Sequence, residues 1–347
     1  MGKKELFLLF SLCYFFIVSC NKNDTGGYTD SLSCQSEMLY SKILNDSSIL
    51  ASPKKLFLWD SLLVVVDKRC GNNLFYMFST TDGAFIKGGG KKGEGPGEVL
   101  SPDVPHLNSE GVLSYWDINK NRIIRYNIAG LLSGSEQYSS EFGLKREQMS
   151  VSFLDVIALK DKYLYSGNTD KHIGLYKSDS YVDSPVLPDI PSAEISRAIM
   201  NKSHWEIDPD EKKLVRATSI GGIVQCYTIE GDEVKECWSK LFFPPVYKVV
   251  EGAKPVWITW CQESQMGFDN LYVTNQYIYL LLNGKFAKDK PFANEVLVMD
   301  WNGNIIKKFV LDRTVKTIAV DEDKRTIYGT TCGFDVETNI VAFPFNI

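Results

Sequence analysis

Histidine is nearly missing from this chain: His106, His172 and His204 are the only three in 347 residues. No Cys-x-x-Cys pair accompanies them, so a zinc site is not expected, nor any other metal or cofactor. Positive charge is also in short supply. The 38 Lys and Arg face 43 Asp and Glu, for a net charge of -5, which argues against a general nucleic-acid binder. The one strongly apolar run, residues 6–18, is too short to span a bilayer as a helix. The glycine-rich ribbon at residues 88–97 contains Lys91 and Lys92, but no Gly-Lys-Ser/Thr leads from it into a helix, and Pro96 and Pro102 block one. Asp103 with His106, and His204 with Glu206, are close in sequence, yet neither pair has a nucleophile beside it. No catalytic set emerges.

What is present begins with an export signature. Lys3 and Lys4 precede the apolar run, which ends at Ser19-Cys20. Ile17-Val18-Ser19-Cys20 resembles the lipobox of bacterial lipoproteins, in which the cysteine is acylated and becomes the new N-terminus after cleavage. The resemblance implies a signal peptide at 1–19, lipidation at Cys20, and a lipid-anchored protein of the bacterial cell envelope, at the outer membrane. The bland alternative is an ordinary signal with an incidental cysteine. Residues 21–33 are polar, with only Tyr28 and Leu32 as large apolar side chains, and read as a tether, so that 20–35 link the lipid to a domain at 36–347. Six cysteines remain after the signal and the lipidated residue are set aside: Cys34, Cys70, Cys226, Cys237, Cys261 and Cys332.

The domain repeats one hairpin. Two apolar strands flank a polar turn, and a Gly or Asp turn follows, with the period-two alternation of β-structure. The copies lie at 62–78, 112–126, 163–176, 214–228, 277–299 and 326–345, with outer turns at Asp82-Gly83, Ala129-Gly130, Ser178-Asp179, Gly231-Asp232 and Asn302-Gly303. Gly83, Gly130, Gly231 and Gly303 are separated by 47, 101 and 72 residues: one step, two steps, and one step carrying an insertion. Repeats of roughly 40 to 50 residues with four strands each predict an all-β, six-bladed β-propeller. The last copy has no room for a fourth strand, so residues 38–44 are expected to supply it and close the ring.

Trp116-Asp117-Ile118-Asn119-Lys120-Asn121-Arg122-Ile123 looks like the D-x-x-N-x-R-I hairpin of NHL-type propellers. Gly93-Glu94-Gly95-Pro96-Gly97-Glu98-Val99, followed by Ser101-Pro102, resembles the GxGPGEF-type segment of TolB-like six-bladed propeller lipoproteins of Bacteroides and relatives. The motif matches lie between residues 82 and 126, and the third and sixth repeats lack the Asn-x-Arg-Ile element. The resemblance implies fold and compartment rather than an activity.

Two insertions interrupt the repeats. Residues 242–267 carry Tyr247, Lys254, Trp257 and Trp260; residues 283–294 carry Lys285, Phe286, Lys288, Lys290 and Phe292. In a propeller, blade-to-blade connections and the loops joining second to third strands emerge on one face, so both insertions should share a rim. Tyr247, Trp257, Trp260, Lys285, Phe286 and Phe292 are therefore the candidate ligand-binding set, with Trp257, Trp260 and Phe286 as one aromatic platform. The alternative is that the tryptophans pack the loop onto the ring. Cys226 and Cys237 face each other if Gly231-Asp232 form the hairpin turn, and are either a disulfide or two small thiols. The sequence thus suggests a noncatalytic binding or scaffolding module for a glycan, a peptide or an envelope protein, the alternative being a propeller hydrolase or lyase.

Overall fold

Each predicted hairpin is the middle pair of an antiparallel sheet. Strands 2 and 3 of a blade are covered on both faces by neighbouring blades, which is why they read as continuous apolar runs such as Leu62-Leu63-Val64-Val65-Val66. The computed structural model describes residues 32, 34–46, 49–69, 71, 73–135, 138–142, 153–167, 171–176, 181–183, 202–252, 256–289, 292–333 and 337–346. The signal, Cys20 and the tether as far as residue 31 lie outside these, as do Cys70, Ser178 and Asp179.

The chain opens with β1 (Ser36–Leu39) and β2 (Lys42–Asn45). Blade 1 comprises β3 (Pro53–Trp59), β4 (Leu62–Asp67), β5 (Asn73–Ser79) and β6 (Phe85–Lys92), with β7 (Glu98–Val99) added in parallel. Blade 2 is β8 (Pro102–Leu107), β9 (Val112–Asp117), β10 (Arg122–Asn127) and, after helix α1 (Ile128–Leu132), β11 (Tyr138–Phe142). Blade 3 is β12 (Phe153–Ala158), β13 (Tyr163–Gly167), β14 (Lys171–Leu175) and β15 (Tyr181–Asp183). Blade 4 is β16 (Ser203–Ile207), β17 (Lys213–Thr218), β18 (Ile223–Glu230) and β19 (Glu233–Leu241). A separate hairpin, β20 (Tyr247–Val250) with β21 (Trp257–Trp260), precedes blade 5: β22 (Phe268–Val273), β23 (Tyr277–Leu282), β24 (Glu295–Asp300) and β25 (Ile305–Leu311). Blade 6 is β26 (Val315–Asp321), β27 (Thr326–Thr331), β28 (Ile340–Pro344) and β2.

The six sheets form a closed ring, because every neighbouring pair shares an apolar interface. Met77 of blade 1 packs with Tyr115 of blade 2, Trp116 with Tyr165 of blade 3, and Leu164 with Tyr227 of blade 4. Val224 of blade 4 packs with Phe268 of blade 5, Phe309 with Ile318 of blade 6, and Tyr328 of blade 6 with Leu56 of blade 1. Each fully buried side chain of this size contributes about 1.5–3 kcal/mol by leaving water. The first strands meet at the axis, where β26 packs on β3, β22 on β26, β16 on β22 and β12 on β8.

The seam closes as expected, but with a division of labour. Lys42 of β2 pairs with Ala342 of β28 and completes blade 6, whereas Met38 lies on β1, which runs parallel to β25 on the outside of blade 5. Residues 38–44 are thus two strands in two sheets, separated at Tyr40-Ser41, where Asp312 accepts from the Ser41 N–H and Ser41 Oγ. Gly83 lies against this seam: its φ of +72° is open to glycine, and a Cβ there would meet Leu44 O at 2.3 Å.

Two further expectations change. Ala129-Gly130 is not a turn but the second and third residues of α1, whose N-cap Asn127 accepts from the Gly130 N–H at 2.8 Å. In blade 4 the Gly231-Asp232 turn is present and the ladder runs in the predicted register as far as Tyr227–Glu236, but a bulge then puts Cys226 opposite Trp238. Cys237 is the extra residue of that bulge. Both cysteines are thiols here; Cys226 is buried and Cys237 exposed, and burial, reinforced by Cys237, pushes the Cys226 thiol up to about 12.

The D-x-x-N-x-R-I segment clasps a blade connection. Asp117, fully buried, accepts from the N–H groups of Leu100, Ser101 and Lys120, while Arg122 donates to Glu98 O at 2.5 Å. Asp67 does the same one blade earlier, accepting from Ala51, Ser52 and Arg69.

Candidate binding face

Antiparallel order puts three kinds of segment at one end of the ring: the starts of the first strands, the loops between second and third strands, and the blade-to-blade connections. Both insertions are of these kinds, and they are joined by main-chain hydrogen bonds. Met266 N–H donates to Lys285 O (2.8 Å), Gly284 N–H to Met266 O (3.0 Å) and Ala287 N–H to Ser264 O (2.9 Å). The loop of blade 4 joins them, since Gly221 N–H donates to Gln265 O and Gly267 N–H to Ser219 O, both at 2.9 Å. Gly267 is required by closeness alone: a Cβ would lie 2.1 Å from Gly221 O and 2.2 Å from Thr218 O.

The β20–β21 hairpin stands on this base. Ser264, fully buried, accepts from Cys261 N–H and donates to Val246 O, which fixes the hairpin's foot. Tyr247 and Ile258 turn inward onto Ile220. Val249 and Trp260 share the face of these two residues but stay open to solvent, Trp260 being 52% exposed, while Val250 is exposed on the other face; Val246, Val256 and, on the neighbouring loop, Phe286 (45% exposed) are also open. Lys288 Nζ lies 5.5 Å from the centre of the Phe286 ring. The valines were not among the sequence candidates. Their signal was a pair of β-branched stretches on either side of Glu251-Gly252, which is the pattern of a hairpin rather than of a loop.

The six predicted rim residues are gathered at this end but do not form one platform. Tyr247 is buried, so it anchors the hairpin. Trp257 pairs with Val250 and Trp260 with Tyr247, which by strand alternation sends the two tryptophans to opposite faces of the hairpin. Trp257 is half-buried and Trp260 open. Lys285 donates to Phe292 O at 3.1 Å and lies 3.5 Å from Asn294 Oδ1, which ties the second loop to itself. Phe286, on the loop joined to the hairpin's base, is the second open ring at this end.

Polar groups occupy the axis. Lys55 of blade 1 forms a buried ion pair with Glu206 of blade 4 and donates to Leu271 O of blade 5 at 3.0 Å. His204 Nε2 lies 3.3 Å from Ser219 Oγ. Burial, and then the positive charges of Lys55, Lys202 and Lys54, push this imidazole down to about 3. The Asp155 carboxyl, which accepts from Ser166 Oγ at 3.1 Å, is pushed up to about 6 by burial and by Asp103. The charge of Asp103 thus acts on Asp155, while His106 Nε2 lies 3.5 Å from Glu211 Oε1. Among the described residues no three His, Cys, Asp or Glu side chains group as metal ligands, and no helix is long and apolar enough to cross a membrane.

The profile of the TolB-like 6-blade propeller-like family matches residues 28–323. A member of the DUF4221 family from Bacteroides vulgatus superposes with a TM-score of 0.58 at 11% identity, over 89% of this chain and 96% of that one. A Bacteroides fragilis protein described as exported superposes with a TM-score of 0.51 at 12% identity, over 89% and 98%. At these identities the likeness is one of fold. A comparison with curated proteins gave no match.

Proposed function

Because the chain belongs to the TolB-like six-bladed propeller family, we propose that it is a lipid-anchored binding module of a bacterial envelope, using the β20–β21 hairpin as its contact surface. One observation carries this reading: an inserted hairpin, fixed at its foot by Ser264, holds Val249 and Trp260 in solvent on one face and Val250 on the other, with Phe286 exposed on the loop joined to its base. An exposed apolar patch on a rigid mount is what an interaction site requires. Its composition favours a peptide or a segment of a partner protein over a glycan. Branched aliphatic side chains offer nothing to sugar hydroxyls, and a two-stranded sheet has main-chain edges onto which an extended peptide can add. The module sits at the end of the tether, and Cys20 is the acylated residue.

The test uses peptide and glycan arrays probed with the native chain and with a Trp260→Ser, Phe286→Ser double variant. The reading expects peptide binding that the double variant loses, at an unchanged melting temperature, since both rings are open to solvent. Glycan binding alone, or peptide binding that survives the substitutions, would place the contact surface elsewhere.

A further inference from the structure

The first strands repeat an irregularity at the same place. The ladder slips between Pro53 and Lys55 in β3, between Phe153 and Asp155 in β12, between Phe268 and Asn270 in β22, and between Val315 and Thr317 in β26. The residue carried on three of these bulges is Lys54, Asp269 or Lys316. A bulge adds a residue to one strand and re-aims its side chain, which is why such sites recur at the rims of closed sheets and beside ligands. Here each bulge lies at the starting end of a first strand, where these strands gather around the axis at one end of the ring. Lys202 precedes β16 at the corresponding level of blade 4, its carbonyl accepting from Ser219 N–H at 3.0 Å.

Three blades thus bring a lysine to one opening. Lys54 and Lys316 come from adjacent blades and lie close enough to repel one another, and Lys202 of the opposite blade adds to that repulsion. None of the three has a carboxylate within ion-pair distance among the described residues, whereas Lys55, one residue deeper, is paired with Glu206. Only attraction beyond ion-pair distance, from Asp155 to Lys202 and from Asp269 to Lys316, offsets the mutual repulsion. Burial lowers the Lys54 ammonium's affinity for its proton, and Lys316, Lys68 and Lys202 lower it further. Blades 2 and 3 contribute Asp103 and Asp155 to the same opening, and the carboxyl of Asp155 interacts with Lys202. The Lys55–Glu206 ion pair, one residue deeper along β3, lies beneath this cup of first-strand residues.

We propose that this cup is a ligand site in which an oxyanion lies among Lys54, Lys202 and Lys316, while the hydroxyl groups of the same molecule donate to Asp103 and Asp155. The chemical class is a small acidic polyol, such as a sugar acid or a sugar phosphate. Lysines from three blades supply the charge the anion requires, and two acceptor-only carboxylates supply partners for hydroxyls, which a bare inorganic ion would leave unused. This site is separate from the hairpin patch, so each can fail without the other.

Calorimetric titration of the full chain at low ionic strength with glucuronate, glucose 6-phosphate and neutral glucose tests it. Saturable binding of either acidic sugar is expected, with glucose weaker by about tenfold or more, the worth of one charge-assisted contact. The two acidic probes distinguish a carboxylate from a phosphate ligand. Lys54→Met, Lys202→Met and Lys316→Met should each weaken that binding about tenfold, while Lys212→Met, at an exposed turn, should not. Far-ultraviolet circular dichroism of each variant establishes folding, and three independent substitutions keep the test open if one fails to fold. Equal binding of glucose and the acids, or acid binding that all three variants retain, would overturn the proposal.

Discussion

Lys55 and Glu206 lie three blades apart in a ring of six and form an ion pair across its axis, with side chains only 11% and 9% exposed. Taking two charges out of water is offset only while each has the other.

Removing one partner should therefore be costly and removing both should not. Glu206→Gln or Lys55→Met is expected to lower unfolding free energy by about 3–5 kcal/mol, whereas the double variant Lys55→Met, Glu206→Met should recover most of it. Urea unfolding of the three variants supplies the double-mutant cycle. Additive losses would show that the pair does not interact across the axis.

The N-terminal strands should divide their contributions as the sheets do. A chain beginning at residue 32 keeps β1, β2 and the contacts of Leu32, Cys34 and Gln35 with blade 5, and should melt like the longer protein. One beginning at 41 loses the outer strand of blade 5, and one beginning at 47 also opens blade 6 by removing the β2–β28 ladder. Melting temperature should fall at each of the last two steps, and the final one should also promote association. Equal melting of all three would mean that the seam carries no stability.

His204 and Asp155 should shape the acid side of the stability curve with opposite signs. The imidazole, held down to about 3 against an ordinary value near 6.5, resists protonation when folded, so it removes stability as pH falls from 6.5 towards 3. The carboxyl, raised to about 6, takes its proton earlier when folded, so it adds stability as pH falls from 6 towards 3.8. Each slope is at most roughly 1.4 kcal/mol per pH unit. Relative to the native protein, His204→Gln should gain stability between pH 6 and 4, and Asp155→Asn should lose it. Urea midpoints across this range provide the measurement; parallel curves for all three proteins would contradict both assignments.

Anchoring rests on one thiol. Cys20→Ser should move the protein from the membrane fraction to the soluble fraction of cells carrying it, since acyl chains supply the membrane affinity. Continued sedimentation with membranes would show that another element holds it there.

The hairpins were legible in the sequence because strands buried on both faces have no choice but to be apolar, and turns such as Asp82-Gly83 mark their ends. The first strands were not. Residues such as Lys54, Asp103 and Asp269 border the axis and break the apolar run that would have marked a strand. The bulge between Cys226 and Tyr227 shifts the ladder by one residue, and the Gly231-Asp232 turn gives no sign of it, so counting outward from the turn fails beyond Tyr227. The rim insertion was recognised as a site for loops but not as a hairpin, and alternation along β21 then separated the two tryptophans that spacing alone had put together.

The position of β2 also sets a timetable. It is made among the first structured residues, yet its partner β28 ends at Pro344, close to the end of the chain. During synthesis five blades can assemble from neighbouring hairpins while β2 has nothing to pair with, and the contact that makes the ring circular is the most distant strand pairing among the described residues. Such contacts are slow to form because the whole intervening loop must be ordered first. The ring can therefore become circular only after the last blade has been made, and until then blade 6 and the free N-terminal strand are the parts most exposed to pairing with the wrong chain.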